Sequence, residues 1–263
     1  MVYLEQGIHM STKIIAVVNQ KGGVGKTTTS INVAAQLTEG KSKVLLLDLD
    51  PQGNATSGLG VPKDQATHTT YDILRGDVTI AQAVVQSNVA QLDVLPANSN
   101  LAGSEVELVN MSEREFALKR ALQAVDKYDY VVIDCPPSLG LLTINGLTAA
   151  NYVLIPVQAE YYALEGLSQL LNTIQAVKQA TNPGLGLLGI VLTMFDKRNS
   201  LSEQVEKEVR NYFGGTLLDT IIPRNVRLAE APSYGKTIFQ HDRWSKGAKA
   251  YKLLSREIRN RLK

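Results

Sequence analysis

The chain has 263 residues, of which 44% are hydrophobic, and this is enough apolar material for a sizeable core rather than a disordered or fibrous protein. Its single cysteine, Cys135, excludes an intrachain disulfide and a four-cysteine metal site, and it fits a reducing compartment such as the cytoplasm. No run of about 18 apolar residues occurs, so we expect no transmembrane helix.

The formal net charge of +2 conceals an uneven distribution of charge along the chain. Residues 197–263 hold 15 Lys and Arg against 7 Asp and Glu, a net charge of +8, while the residues before them carry −6. A basic C-terminal quarter on an acidic body indicates a polyanionic partner, such as nucleic acid or a membrane surface. A solvated helical face would show the same charges, so this pattern leaves both interpretations open.

Short aliphatic segments alternate along the chain with longer segments of helical spacing. The aliphatic segments do not alternate apolar with polar residues, which is typical of strands buried on both faces of a parallel sheet. The sequence therefore predicts one α/β domain over 13–263, with a mostly parallel twisted sheet covered by helices on both faces, after a flexible extension over 1–12. The predicted strands are 14–18, 44–47, 92–95, 130–133, 153–157 and 187–192, and the predicted helices are 26–38, 113–125, 163–179, 201–212 and 246–262.

A glycine-rich segment, NQKGGVGKTT at 19–28, lies between the first predicted strand and the first predicted helix. Glycines allow backbone N–H groups to turn toward phosphate oxygens, and the following helix adds the positive end of its dipole. In this interpretation Lys26 reaches the β- and γ-phosphates of a nucleotide, and the Thr27 hydroxyl binds Mg²⁺. The common G-x-x-x-x-G-K-S/T pattern is not met at Gln20, and a second lysine, Lys21, opens the loop instead. The predicted nucleotide-binding residues of the loop are Lys21, Gly22, Gly23, Val24, Gly25, Lys26, Thr27 and Thr28.

The segment KGGVGKTT resembles the deviant Walker A motif of the ParA/MinD superfamily of ATPases. Three further segments are similar to chromosome-partitioning ParA proteins of the Soj type, and the resemblance extends from Lys13 to the C-terminus. It implies a single-domain P-loop NTPase fold and hydrolysis of ATP with Mg²⁺. The three segments are VLLLDLDPQGNATSGLG at 44–60, YDYVVIDCPPSLGLLTINGLTA at 128–149 and IPRNVRLAEAPSYGK at 222–236.

Three aspartates follow predicted strands, at the edge where ligands bind in open parallel sheets. Asp48 and Asp50 lie two residues apart after the second predicted strand, a spacing that points both side chains to the same side. We expect Asp50 to orient the attacking water, as in the ParA proteins that the chain resembles, and Asp48 to support Mg²⁺ and its waters. Asp134 follows the fourth predicted strand, at a Walker B position, where it is expected to hold Mg²⁺ directly or through water. A structural role at a turn is the alternative for each carboxylate.

The resemblance also implies contacts that the residues alone do not establish. In the family, the lysine that opens the loop crosses a nucleotide-sandwiched dimer and stabilises charge on the partner's ATP, which implies a catalytic role for Lys21 beside Lys26 and Asp50. The alternative is that Lys21 binds the phosphates of its own chain. The residues expected at the adenine are Met194, Pro223 and Asn225.

The same resemblance gives the basic C-terminal quarter a specific meaning. Arg198 and Arg227 stand where Soj proteins carry arginines for nonspecific DNA binding, and the last predicted helix adds Lys252 and Arg256. The implied function is an ATP-dependent homodimer that binds DNA without sequence preference. A ParB-like partner would stimulate hydrolysis and so release the dimer, and the protein would act in the cytoplasm, at the nucleoid.

Two other functions use the same fold. A MinD-like positioning ATPase would lie on a membrane through a C-terminal amphipathic helix, but only Leu262 is apolar among the last five residues, so we expect no membrane partner. A metabolic ligase, such as a dethiobiotin or cobyrinate amidating enzyme, would need a substrate pocket beyond the phosphate site, and the sequence has no motif for one.

Overall fold

The computed structural model describes residues 12–160 and 163–263, and it places a single β-sheet between two layers of helices. The strands of the described residues are β1 (Lys13–Val17), β2 (Val44–Asp48), β3 (Val85–Gln86), β4 (Leu92–Leu95), β5 (Tyr130–Asp134), β6 (Tyr152–Gln158) and β7 (Gly186–Thr193). They are arranged in the order β3-β4-β2-β5-β1-β6-β7. Every neighbouring pair is parallel except β3 with β4, which is antiparallel.

The predicted mostly parallel sheet is confirmed, and each of the six predicted strands agrees with the structure to within one residue at either end. The edge strand β3 was not predicted, because two exposed residues are too few to produce a hydrophobic pattern. The predicted extension over 1–12 falls on undescribed residues except for Thr12, whose hydroxyl donates a hydrogen bond to the Tyr128 carbonyl at 2.7 Å.

Four of the five predicted helices also agree with the structure to within one residue at either end. Among the helices of the described residues, none is long and apolar enough to cross a membrane. The helices are α1 (Lys26–Leu37), α2 (Asn54–Gly58), α3 (Thr70–Arg75), α4 (Ile80–Ala83), α5 (Leu101–Leu108), α6 (Ala117–Leu122), α7 (Leu141–Ala149), α8 (Ala163–Ala180), α9 (Ser200–Phe213), α10 (Val226–Glu230), α11 (Ile238–His241) and α12 (Lys246–Arg261).

The prediction of one continuous helix over 113–125 is wrong. Glu113 has a φ of 52°, in the left-handed region, and a short 3₁₀ turn follows it before α6 begins. Asn145 on α7 fixes this break: its Oδ1 accepts a hydrogen bond from the N–H of Leu118 at 3.1 Å, and its Nδ2 donates to the carbonyl of Arg114 at 2.9 Å. A side chain distant in sequence therefore overrides the local helical pattern.

The sheet has a hydrophobic core on each face, because successive side chains of a strand point to opposite sides. In β1 and just after it, Ile15 and Val17 belong to one core, while Ala16 and Val18 belong to the other. The first core is covered by α1, α2, α10, α11 and α12, and the second by α3 to α9. Both faces of the sheet are thus covered, as the continuous apolar strands predict.

The carboxyl ends of three central strands meet at one edge of the sheet. In the Cα register, Asp134 at the end of β5 pairs with Val17 of β1 on one side and with Asp48 of β2 on the other. The predicted phosphate loop follows β1 directly and leads into α1. The topology therefore brings the loop and the aspartates together at the edge where open α/β sheets bind ligands.

The C-terminal helix α12 packs on α1, the helix that begins at the phosphate loop. The hydroxyls of Tyr251 and Thr29, both buried, form a hydrogen bond at 3.0 Å. At the other end, Arg259 donates from Nη2 to the carbonyls of Gln36 and Glu39, at 2.6 Å and 2.8 Å. Because these contacts lie at both ends of α1, the basic helix is fixed along its length.

Gly235 lies between α10 and α11 and closely approaches Gly60, which follows α2. A substitution at Gly235 tests this contact through protein stability. Gly235 has a φ of +60°, and a Cβ atom there would lie 2.7 Å from the Cα of Gly60. Gly235→Ala is expected to lower the free energy of unfolding by about 3 kcal/mol, since it combines left-handed strain with a backbone clash. Urea unfolding measures the change.

The matched control is Gly76→Ala, because Gly76 has a φ of +80° and nothing within 4 Å of an added Cβ. It should cost only the strain, about 1 kcal/mol. Equal losses in the two variants would contradict the close approach of Gly235 to Gly60.

Candidate nucleotide site

The loop between β1 and α1 has the geometry of an anion cradle. Gly23 and Gly25 have φ values of 75° and 89°, and Gly25 is the N-cap of α1, where no side chain pairs with the first N–H groups of the helix. A Cβ atom at Gly22 or Gly23 would meet nothing within 4 Å, so the space at the loop is open. The Thr193 hydroxyl donates to the Val24 carbonyl at 2.8 Å and so fixes the loop to the end of β7.

Lys26, the first residue of α1, is only 7% exposed. Its Nζ donates a hydrogen bond to the carbonyl of Lys21 at 3.0 Å. Burial lowers the pKa of Lys26, while the charges of Asp134 and Asp50 act in the opposite direction. An ammonium has three donors, and this is the only hydrogen bond found for it in the described residues, so its remaining donors suit phosphate oxygens.

Asp134 carries an unpaired buried oxygen at the end of β5. Its Oδ1 accepts a hydrogen bond from the Ser30 hydroxyl at 2.7 Å, but its Oδ2 has no hydrogen-bond partner among the described residues. Burial, together with the neighbouring charge of Asp48, raises the pKa of Asp134 to about 7, while the hydroxyls of Ser30 and Thr27 act in the opposite direction. Because an unpaired buried carboxylate oxygen is costly, this atom is suited to a cation or its water.

Both oxygens of Asp48, in contrast, are already used within the chain. Its Oδ1 accepts from the N–H of Asp50 at 3.1 Å, and its Oδ2 accepts from the N–H and the hydroxyl of Thr56 at 2.8 Å and 2.7 Å. Burial raises the pKa of Asp48 to about 6, against these hydrogen bonds. This geometry fits a role in holding the loop that carries Asp50, and the role at Mg²⁺ expected for Asp48 stays a prediction.

Asp50 lies just beyond β2 and is 8% exposed. Its Oδ1 accepts a hydrogen bond from the N–H of Gln52 at 2.9 Å, and no partner for its other oxygen is found in the part of the chain that the structure describes. Its charge acts on Lys26, which places Asp50 at the same edge of the sheet. The fixed carboxylate has a free acceptor, which is what orienting a water molecule requires.

Lys21 is bound to its own chain in a way that the sequence did not predict. Its Nζ pairs with Glu160, after β6, at 2.8 Å, and both side chains are almost half exposed. Asn19 holds the loop here, since its Oδ1 accepts from the Lys21 N–H at 2.9 Å while its Nδ2 donates to the Pro156 carbonyl at 2.7 Å. The two roles considered for Lys21, in its own chain or across a dimer, both stay predictions.

These residues fit a nucleotide with Mg²⁺. The open cradle, the uncapped helix and the buried ammonium of Lys26 suit phosphates, while the unpaired oxygen of Asp134 and the Thr27 hydroxyl suit Mg²⁺, which takes few protein ligands and keeps several waters. Among residues 12–160 and 163–263, no group of three His, Cys, Asp or Glu could hold a metal ion, so phosphate oxygens and water would complete its coordination. When bound, Mg²⁺ neutralises charge on the β- and γ-phosphates.

A cavity of about 290 Å³ lies beside the phosphate loop. Met194, Pro223 and Asn225, the three residues expected at the adenine, all line it, together with Gly25 and Thr28 of the loop. Met194 has a φ of 51°, an uncommon conformation that often marks functional sites in a non-glycine residue. The structure thus brings the predicted base contacts together next to the predicted phosphate contacts, and adenine binding there stays a prediction.

Several residues that line this cavity were not among the predicted site residues, and Tyr251 and Thr193 are two of them. Tyr251 lines the cavity, but its helical spacing with other apolar residues indicates only that it packs on the domain. Thr193, which also lines the cavity, ends β7 at the ligand edge of the sheet, and that position was an available signal.

Two of the predicted DNA contacts, Arg198 in the loop after β7 and Arg227 in α10, lie on neighbouring segments and are held in ion pairs. An isolated bridge joins the loop after β7 to the loop before α10. Arg198 donates from Nε and Nη2 to the carboxylate of Asp196, at 3.0 Å and 2.8 Å. Arg227 pairs with Glu230 at 2.8 Å and lies 3.8 Å from Asp242. Each guanidinium keeps further N–H donors outside its ion pair, so a phosphate can still bind, but the neighbouring carboxylate reduces the net positive charge that the phosphate meets.

The other two predicted DNA contacts lie one turn apart on α12 and share a face of that helix. Lys252 lies 3.8 Å from Glu39, and both side chains are about half exposed. Arg256 is exposed and has no ion-pair partner within the described residues. The structure therefore places the four predicted DNA residues as two pairs, one on the neighbouring β7–α9 loop and α10, and one on α12.

Lys26→Ala tests the assignment of the loop. It is expected to weaken ATP binding by about 100-fold or more, because it removes the buried ammonium at the cradle. Calorimetric titration with Mg–ATP measures the affinity. Lys119→Ala, which removes a lysine from α6, is the control and should bind like the wild type. Undiminished affinity in Lys26→Ala would refute the assignment.

Arg198→Ala tests the ion pair on the predicted DNA-binding loop. Hydrogen bonds from Arg198 are the main cause that lowers the pKa of Asp196 to about 2, so the substitution should raise it toward the ordinary 3.8. The carboxyl of Asp196 would then bind its proton at higher pH, which an NMR titration of the side-chain carboxyl detects. Arg210→Ala removes another paired arginine and should leave Asp196 unchanged. An unshifted pKa in Arg198→Ala would show that the pair does not persist in solution.

Comparison with known proteins agrees with this site. Residues 12–187 match the AAA_31 family, described as an AAA domain. The chain is 56% identical over 247 residues to "Sporulation initiation inhibitor protein Soj" of Bacillus subtilis, covering 94% of this chain and 98% of the relative. It is 53% identical over 258 residues to "Chromosome partitioning protein ParA" of Myxococcus xanthus, covering 98% and 91%. It is also similar to the structure of cobyrinic acid a,c-diamide synthase from Mycobacterium smegmatis with bound ATP analog and magnesium, with a TM-score of 0.82, 43% identity and 93% of each chain covered.

The family match spans more than half of the chain, and the identity to the two relatives extends over nearly all of it. The solved structure confirms the single α/β P-loop domain, and its ligands agree with ATP and Mg²⁺ as the cofactors of this site. The chain belongs to the ParA/Soj family of P-loop ATPases.

Proposed function

We propose that this chain is an ATP-hydrolysing switch for DNA partitioning. The observation that carries the proposal is the site at the carboxyl edge of the sheet, where the buried ammonium of Lys26 and the unpaired oxygen of Asp134 lie beside an uncapped helix. Similarity to Soj and ParA proteins along nearly the whole chain supports the partitioning role, as does the net charge of +8 over residues 197–263.

Hydrolysis depends on a positioned water rather than on a strong base, because the transition state of phosphoryl transfer is loose. Asp50 is the residue that we assign to this water, since one of its oxygens is fixed by the Gln52 N–H and the other is available. Lys26 stabilises the charge that develops on the phosphates. Asp134 and Thr27 hold Mg²⁺ or its waters, and Asp48 keeps the Asp50 loop in place.

Lys21 acts, in this proposal, only when two chains form a dimer. Its ion pair with Glu160 is almost half exposed, and such pairs contribute about 1 kcal/mol or less, so exchange is inexpensive. In an ATP-bound sandwich dimer, Lys21 would leave Glu160 and contact the ATP of the partner. Because one chain alone keeps this lysine on Glu160, we expect weak turnover in the isolated chain.

DNA binding follows from the charge that a dimer would present. Each chain contributes a net +8 over residues 197–263, so two chains present this charge twice. Every additional phosphate contact releases counterions, and linking two sites raises the overall affinity without new contacts. ATP would therefore favour a DNA-bound dimer at the nucleoid, and hydrolysis stimulated by a ParB-like partner would release it.

A second candidate function is ATP-dependent amide synthesis. It is favoured by one observation, the 43% identity to the Mycobacterium smegmatis structure described as cobyrinic acid a,c-diamide synthase. The two candidates differ in what should accelerate ATP hydrolysis. DNA with a ParB-like partner should do so under the first function, whereas cobyrinic acid with an amide-nitrogen donor should do so under the second.

Co-sedimentation with DNA of unrelated sequence, under ATP, ADP or no nucleotide and over a salt series, tests the proposal. We expect binding only with ATP, and a steep loss of binding as salt rises. Asp50→Ala should bind ATP, stay on DNA and fail to hydrolyse, because it loses the water-orienting carboxylate while the phosphate cradle is retained.

Asp64→Ala, which removes an exposed aspartate from a nearby 3₁₀ turn, is the matched control and should turn over ATP normally. Equal DNA binding in all three nucleotide conditions would contradict the switch, and normal hydrolysis by Asp50→Ala would contradict the role of Asp50. Sedimentation with anionic vesicles in place of DNA would favour the membrane alternative.

A further inference from the structure

The only tryptophan of the chain, Trp244, is strongly exposed and is paired with a neighbouring arginine. Its side chain is 72% exposed, and the guanidinium of Arg243 lies over its ring, with Cζ 4.8 Å from the ring centroid. Singly exposed apolar residues are common on protein surfaces, but here a cation lies over the face of the ring, within a basic region of the chain. A partner that covers both groups would have to contact an aromatic ring and a positive charge together.

Arg243 differs from the arginines expected at DNA by the resemblance. Arg198 and Arg227 are each paired with a carboxylate, which reduces the net positive charge that they present to a phosphate. Arg243 is exposed and has no carboxylate partner in the described part of the chain, and its contact is with the ring of Trp244. Its positive charge is thus available to a polyanion without the loss of an ion pair.

Trp244 also lies inside the basic region rather than at its margin. It immediately precedes Ser245, the N-cap of α12, and residues 243–263 hold 8 Lys and Arg against a single acidic residue, Glu257. Asp242 connects it to Arg227: one carboxylate oxygen accepts from the backbone N–H of Trp244 at 3.1 Å, and the other lies 3.8 Å from Nε of Arg227. The Arg243–Trp244 pair therefore adjoins Arg227, one of the predicted DNA contacts.

We propose that Arg243 and Trp244 form a nucleic-acid contact, in which the guanidinium binds a backbone phosphate and the indole lies against a deoxyribose or base. This inference rests on the proposed DNA binding and adds an aromatic component to it. Phosphate contacts by arginine carry affinity that depends on salt, while packing of an uncharged ring against a sugar releases no counterions and carries no base sequence information. Such a pair suits binding without sequence preference.

The charge around Trp244 favours nucleic acid over a lipid surface. Insertion into a membrane interface needs several bulky apolar side chains on one face. The residues on either side of Trp244 are Asp242, Arg243, Ser245 and Lys246, and these would stay hydrated. A single ring between charged residues matches the pattern of aromatic and basic groups that tracks a nucleic-acid strand.

The intrinsic fluorescence of the wild-type protein provides the test, because all tryptophan emission comes from Trp244. The protein is titrated with duplex DNA of arbitrary sequence in the presence of Mg²⁺ and a non-hydrolysable ATP analogue, and sedimentation is measured in parallel. We expect the emission to change in proportion to the DNA bound. Trp244→Ala should weaken DNA binding about tenfold and leave the salt slope unchanged. Arg243→Ala should lower the slope of log affinity against log salt by about one.

The matched control is Tyr212→Ala, since Tyr212 is 75% exposed at the end of α9 and should not affect DNA binding. All three variants should keep the wild-type affinity for ATP. DNA binding with unchanged emission, and with wild-type affinity in Trp244→Ala, would overturn this inference while the proposed function stands. Loss of DNA binding by the wild type itself would overturn both. A change in emission with anionic vesicles, and none with DNA, would assign the pair to a lipid surface instead.

Discussion

Burial of charge at the carboxyl edge of the sheet is the constraint on which the rest of the structure depends. The charged groups of Lys26, Asp48 and Asp134 are all nearly inaccessible to solvent. Both oxygens of Asp48 accept hydrogen bonds from the chain, whereas Lys26 and Asp134 are only partly paired among the described residues. Leaving a buried charge incompletely paired costs free energy, which the two hydrophobic cores of the sheet must offset. A phosphate group and Mg²⁺ would complete these interactions, so we expect ligand binding to stabilise the charges that the fold buries at this edge.

The contact between α12 and α1 places the basic C-terminal region next to that site. Tyr251 lines the cavity expected to hold the base, and its hydroxyl is bound to Thr29 on the helix that begins at the phosphate loop. The same helix α12 carries Lys252 and Arg256 on its exposed side. The region that we expect to contact DNA is therefore packed directly against the helix that begins at the nucleotide site.

The strands, the phosphate loop and its aspartates could be predicted from the sequence, because aliphatic runs and glycine patterns are local signals. The missing details depend on partners that are distant along the chain. Asn145 breaks the predicted helix over 113–125 from 27 residues away, and Lys21 pairs with Glu160 across 139 residues. The saturation of Asp48 by its neighbours could not be predicted either, since spacing on a strand gives the side of a carboxylate but not its hydrogen-bond partners.

The central claim, that the ligand completes a buried and unfinished set of charges, is tested most directly by the stability of Asp134→Asn against that of the wild type. The free energy of unfolding is measured with and without saturating Mg–ATP, above the raised pKa of Asp134. Without nucleotide we expect Asp134→Asn to be the more stable protein, since it removes an unpaired buried charge. With Mg–ATP the order should reverse, because the wild type gains more binding free energy. A variant that is less stable in both conditions by the same amount would contradict the claim.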